Sequence, residues 1–435
     1  MEIIVSCLYA ASGFLGVLCV LLAVSKHPTG GGFNSKILSY ALRPWAHGVV
    51  FGRVLGKLVC YSPEEKEGHV IVLGPSGKGK TSALLIPTLR SWKGTALVVD
   101  ISGDIGANVD VSNKVTFTPS DPATVPYDVF AAVHNEPTED DKMERLEQLA
   151  FLLMPDRPGD SEAGAFFTRE GRKILTAAFI CYYFKGWDFV TICEHILSHD
   201  WRSLLNDIAA QKHATANMYI SSFVGANDQN NAGCKQSADA AIKLFATNSR
   251  VKHALRKPDK GEQVVSPATL EASSVYICIE DAKLKLYAPL MRIITAQCME
   301  YFSQRPAANK SKILFCLDEF ASFGKLEIVE ALRKLRKKHI RIMVLTQSLA
   351  DLDMIYGKDE RIAMLNNFAY KVILGCGDTE TQEYFSKMIG EKPTKDENSR
   401  PVPLVKPAEL GNLGDELLVL SEEGCKRLKK NFYFK

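Results

Sequence analysis

An apolar pentapeptide, His69–Leu73 (HVIVL), runs without a break into Gly74-Pro75-Ser76-Gly77-Lys78-Gly79-Lys80-Thr81. No other stretch restricts the fold as much. The octapeptide fits G-x-x-x-x-G-K-[ST], and it stands where that pattern must stand, after a strand and before a helix-like run over residues 81–92. Glycines here let backbone N–H groups turn inward around phosphate oxygens, and the helix start adds positive potential. Lys80 is then placed for the β- and γ-phosphates and Thr81 for magnesium. Gly74, Pro75, Ser76, Gly77, Lys78, Gly79 and Ser82 complete the cradle. The cofactors implied are ATP and Mg2+. A merely flexible glycine loop is the competing account, and the strand-to-helix setting speaks against it.

Residues 95–101 (TALVVDI) read as a second buried strand, short, β-branched and bounded by glycines. Strand, loop, helix and strand make the opening unit of an α/β nucleotide-binding domain. From about Pro137 to about Lys260 the spacing turns helical, as in ERLEQLAFLLM, TREGRKILTAAFICYYF, TICEHIL and QSADAAIKLFA. Strand signals return at 274–279, Ile313–Leu317, Ile340–Thr346 and 370–374, while 417–420 and 431–435 (NFYFK) read as edge strands. The expected division is a membrane anchor at 1–26, a juxtamembrane segment at 27–66, a nucleotide-binding domain over 67–135 and 263–435, and an inserted all-α domain at 136–262.

The strand Ile313–Leu317 ends in Asp318 and Glu319. Carboxylates at the C-terminal end of a sheet strand face the ligand crevice of an open α/β fold. Asp318 would hold magnesium and Glu319 would orient or deprotonate the attacking water. A solvated carboxylate pair opening the next helix is the bland alternative. Gln347 closes the strand Ile340–Thr346, as a γ-phosphate sensor or as an ordinary turn residue. Arg333, Lys334, Arg336, Lys337, Lys338 and Arg341 crowd between these motifs. They form a solvated helix face, a phosphate-contacting stretch along DNA, or the source of an arginine acting on a neighbouring subunit, for which Arg336 is the choice.

Residues 3–24 carry no charged side chain, enough apolar length to cross a bilayer. Glu2 in place of a basic n-region argues against a signal peptide. Lys26, Lys36, Arg43, Arg53 and Lys57 follow, so the positive-inside rule puts the body in the cytoplasm. A second apolar stretch, 37–61, is broken by Arg43, Pro44, His47, Arg53 and Lys57 and reads as juxtamembrane or interfacial. The 11 cysteines form no C-x-x-C pair and several lie in apolar runs, so they are expected reduced and buried. A net charge of +3 is too small to announce a nucleic-acid partner, which would need basic residues gathered locally.

Taken in order, these motifs resemble the type IV secretion coupling proteins, the TraG-like conjugative DNA-transfer ATPases. The likeness covers Gly74-Pro75 with the loop and Ile86-Pro87, then Val99-Asp100-Ile101 with Asp104, and Phe166-Phe167 with Arg172 to Leu175. It continues through Leu317-Asp318-Glu319-Phe320 with Gly324, Thr346-Gln347-Ser348, Asp351-Leu352, Asn366-Asn367, Asp378, Glu380-Thr381, Ser386 and Gly390. The resemblance implies a RecA-like homo-hexameric motor that hydrolyses ATP at the inner membrane of a bacterium. Such a motor passes single-stranded DNA with its relaxase to a secretion channel, whose ATPases and inner-membrane components are further partners. Lys80, Thr81, Asp318, Glu319 and Gln347 fall on the family's ATPase positions and Arg336 near its arginine-finger position. The chain departs from the family in showing one clear span rather than two, in lacking an extended C-terminal tail, and in Ser102 where a basic residue is common. Two other readings stay open: an FtsK-like DNA pump unconnected with secretion, and a membrane adaptor that binds nucleotide but hardly hydrolyses it.

Overall fold

The computed structural model describes residues 47–434, apart from 55–57, 65–66, 157–159, 307, 310 and 393–401. The spanning helix expected at 3–24 lies outside the described residues. Among the described residues no helix is long and apolar enough to cross a membrane. The strands in chain order are β1 (Gly48–Val54), β2 (Leu58–Pro63), β3 (His69–Leu73), β4 (Thr95–Asp100), β5 (Lys114–Phe117), β6 (Ser274–Cys278), β7 (Ile313–Leu317), β8 (Ile340–Thr346), β9 (Phe368–Ile373), β10 (Glu391–Lys392), β11 (Val402–Pro403), β12 (Glu416–Ser421) and β13 (Gly424–Lys429).

The chain divides into two compact units. The first holds the described residues up to Lys93, Ile342–Asp351 and the chain from Leu365 onward. Its strands run in the order β2-β1-β13-β12-β9-β3-β8. β3 lies between β8 and β9 and is parallel to both, with Leu73 opposite Thr346 on one side and Ile373 on the other. Every residue of β3 is buried, as an unbroken apolar run requires when both sheet faces are covered. The β9–β12, β12–β13, β13–β1 and β1–β2 pairings are antiparallel.

The second unit holds Gly94–Arg341 and Leu352–Met364. Its parallel strands run β7-β4-β6-β5. Between β5 and β6 the described residues are helical, with Glu139–Leu153, Glu162–Tyr183, Phe189–Ser198, Trp201–Ala210 and Asp228–Thr247 the longest pieces. Thr138, Ser161, Asp188, Asp200 and Asn227 cap these helices, each side chain accepting a backbone N–H of the first turn. The buried Arg172 of the family-like motif ties two helices together. Its guanidinium donates to the Met154 carbonyl (3.0 and 2.6 Å) and to Asp156 (2.7 Å), and lies over the Phe151 ring. Phe167 packs so closely on Gly233 that a Cβ there would sit 2.6 Å from its ring.

Three expectations change. The described part of 37–61, read as juxtamembrane or interfacial, forms the β1–β2 hairpin of the sheet. The charge that interrupts its apolar pattern has a partner inside the fold, since Arg53 donates to the Asn431 side chain and to the Phe432 carbonyl (3.3 Å). Residues 417–420 are not an edge strand, because β12 pairs with β9 and with β13. Residues 431–434 are not a strand; the polar hexapeptide GCKRLK before them is. The N–H of Tyr433 is taken by the Ser82 carbonyl (3.1 Å), so this backbone is satisfied by the helix after the loop rather than by a sheet neighbour.

Candidate nucleotide site

In the first unit, β3 delivers the chain to Gly74, whose N–H donates to the Thr346 carbonyl of β8 (3.2 Å). Gly77 (φ 76) and Gly79 (φ 93) take left-handed backbone, which L side chains resist by about 1–2 kcal/mol. The helix opens at once, π-wound over Lys80–Leu85 and α-helical over Ile86–Ser91. Short π-turns of this kind gather at functional sites. Lys80 is buried at 6% exposure, and its Nζ donates to the Gly74 carbonyl (2.8 Å), across the mouth of the turn. A buried ammonium, a hydroxyl at Thr81 and a helix start with glycines around it form the donor set that a magnesium-bound polyphosphate needs. Gln347 leaves β8 next to Thr346, so the fold brings it to the same end of the sheet as the loop. Its neighbour Ser348 caps the following helix reciprocally with Asp351 (3.2 and 3.0 Å), which gives those two family-like residues a structural role.

Sequence reasoning missed how the chain's last described residues attach to this loop. Phe432 packs on Gly79, where a Cβ would stand 3.0 Å from Phe432 Cε1. Lys430 is buried, and burial holds its ammonium below the usual lysine range, with Lys78 pushing the same way and Asp415 opposing. The Lys430 ammonium and Lys78 put two cationic side chains beside this loop, a place suited to an anion. No pattern in the sequence gives this away, since Lys430 sits in an ordinary K-K pair.

In the second unit, Asp318 and Glu319 follow the wholly buried strand β7. Asp318 is 6% exposed and its Oδ1 accepts the Glu319 N–H (3.1 Å). Glu319 has φ 47 and ψ 46, a left-handed conformation rare for a glutamate and typical of strained functional positions. β4 runs parallel beside β7, with Val99 opposite Leu317, so Asp100 ends its strand next to the pair. Asp100 is fully buried, and its carboxylate accepts the N–H groups of Gly103 (2.9 Å) and Gly106 (2.7 Å), which makes it the clamp of its own turn. The basic stretch is not one face. Arg333, Lys334, Arg336 and Lys337 are exposed beyond the apolar side of Ile328–Leu335, whereas Lys338 donates to the Arg305 carbonyl (2.6 Å) and Arg341 is buried in β8.

The sequence model of a family described as type IV secretory system conjugative DNA transfer matches residues 36–435. Protein VirD4 of Rhizobium rhizogenes is 26% identical over 423 residues, covering 89% of this chain and 62% of that protein. The chain thus spans about three fifths of the length of this curated relative. Among solved structures, the plasmid coupling protein TrwB in complex with the non-hydrolysable GTP analogue GDPNP aligns at a TM-score of 0.74 and 20% identity, covering 92% of this chain and 93% of that one. TrwB in complex with ADP and Mg2+ aligns at 0.74 and 19%, covering 92% of each chain. At such identities the likeness to TrwB shows a shared α/β fold.

Proposed function

The chain belongs to the type IV secretory system conjugative DNA transfer family, and on that premise we propose that it is a coupling ATPase that drives DNA toward a secretion channel. The observation that carries the reading is the loop between β3 and its helix, with Lys80 buried at its mouth and glycines at the two left-handed turns. TrwB, of like fold, is described with GDPNP and with ADP and Mg2+, which supports a nucleotide and magnesium here. Bound MgATP supplies the phosphoanhydride whose cleavage powers movement. Lys80 would hold its β- and γ-phosphates, Thr81 and Asp318 would hold the metal, and the N–H groups of the loop would hold the remaining oxygens. Glu319 would serve the same nucleotide by orienting the lytic water and accepting its proton, and Gln347 would sense the terminal phosphate. Arg336, exposed at the end of its helix, acts on the nucleotide of an adjacent copy in a homo-hexamer.

We further propose an anchor at residues 3–24 in a bacterial inner membrane, single-stranded DNA with its relaxase as substrate, and channel ATPases as partners. The family match and the names of the relatives favour this over an FtsK-like pump or an adaptor. The test is the ATPase rate of the purified chain with and without single-stranded DNA. Lys80→Ala should abolish hydrolysis, and Glu319→Gln should retain ATP uncleaved. DNA-stimulated turnover persisting in both variants overturns the assignment.

A further inference from the structure

We propose that the aromatic segment at 432–434 is the nucleobase platform of the phosphate loop, with the Phe434 ring as the face on which a purine stacks. This deepens the nucleotide-binding reading and rests on it.

The segment is built onto the loop rather than lying near it by chance. Tyr433 N–H donates to the Ser82 carbonyl (3.1 Å), the Phe432 ring closes on Gly79, and Arg53 holds the Asn431 side chain and the Phe432 carbonyl from β1. Arg90, in the helix that follows the loop, lies 5.0 Å over the Tyr433 ring and donates to the Tyr433 carbonyl (3.4 Å). Phe434 is the exception in this packed group. It is 62% exposed, yet its ring is positioned by Phe432 (centroids 5.3 Å, planes 31° apart) and by Tyr433 (5.1 Å, 83°). An aromatic ring fixed by its neighbours and left open to solvent is a surface on which a flat apolar group stacks with little entropy lost.

The polarity of the loop says which flat group. Lys80 and Thr81 define the γ-phosphate and magnesium end, so the α-phosphate, ribose and base leave the cradle on the side where the helix continues through Ser82. Ser82 is the residue to which the aromatic segment is bonded. A stacked ring reads the face of a base and not its edge, so adenine and guanine are held alike.

The test is calorimetric binding of ATP, GTP and inorganic tripolyphosphate to the full chain and its Phe434→Ala variant. Tripolyphosphate has the anionic part and no base. The variant should lose about 5- to 150-fold in affinity for both nucleotides, the range base–aromatic stacking covers, and keep its affinity for tripolyphosphate. That unchanged arm also shows the loop to be intact. Phe434→Trp should bind nucleotides normally and have its fluorescence quenched by ATP but not by tripolyphosphate. Unchanged ATP affinity in Phe434→Ala, or equal losses for ATP and tripolyphosphate, overturns the platform alone. Lys80→Ala binding both ligands like the native chain overturns the phosphate loop itself, and the platform with it.

Discussion

Replacing Glu319 by glycine and by alanine separates what its side chain does from what its backbone endures. At φ 47 and ψ 46 the residue lies close to the ideal left-handed helix. An L-residue there bears about 1–2 kcal/mol of strain, and glycine bears none. In ordinary backbone glycine is the worse of the two by about 0.5–1 kcal/mol, because it loses more chain entropy on folding. Both substitutions delete the same carboxylate and the same side-chain contacts, so their difference isolates the backbone. The order should therefore reverse here, with Glu319→Gly more stable than Glu319→Ala by about 1 kcal/mol. For a folding unit of about 150–250 residues that is a gain of about 2–4 °C in thermal midpoint. Calorimetric melts of the two variants at matched protein concentration are the assay, with hydrolysis expected to be lost in both. Glu319→Gly melting at or below Glu319→Ala would refute the argument, since the position would then be behaving as unstrained backbone. A carboxylate kept where glycine would be more stable is a residue retained for what it does.

Arg172→Met should destabilise the helical part of the second unit by about 2–4 kcal/mol, because it strips the Met154 carbonyl of its buried donors, and a lowered urea midpoint would show it. Gly79→Ala should weaken tripolyphosphate binding at least tenfold, as a Cβ there must push Phe432 away and adopt φ 93; native-like affinity would refute the packing. Burial pushes the thiols of Cys60 and Cys376 up to about 12, with Lys426 pulling the first down and Asp378 pushing the second up. The thiolate is the reactive form, so at pH 8 both should resist iodoacetamide until the chain is unfolded, as mass spectrometry of the labelled peptides would reveal. A body trimmed to start at His47 keeps β1 and β2 and should stay monodisperse; one trimmed to Tyr61 uncovers β13 and should aggregate in light scattering.

What was legible in the sequence is what local chemistry decides. The turn from HVIVL into Gly74–Thr81 needs glycines, a lysine and a helix start within a few residues, and the structure shows that turn. Asp318 and Glu319 were singled out because an apolar run stops at them, and β7 does end, wholly buried, at Leu317. Hidden were the features set by partners distant in the chain. β13 is half lysine and arginine around buried Lys426 and Leu428, a pattern that reads as loop until β1 and β12 flank it. Arg53 looked like a charge spoiling a membrane segment, whereas its partners lie near residue 431. Arg341 looked like one more member of a basic run, yet its strand is buried throughout. The left-handed turn at Glu319 leaves no mark on composition at all.

The pairing of β1 with β13 gives the molecule a mechanical property. Tension applied to the chain ahead of Gly48 enters the body along β1, which meets β13 at the Arg53–Lys429 pair. From β13 the backbone goes directly to Phe432 on Gly79. A pull on β1 is thereby delivered to the Gly74–Thr81 loop, and a change in that loop's shape can be felt at β1.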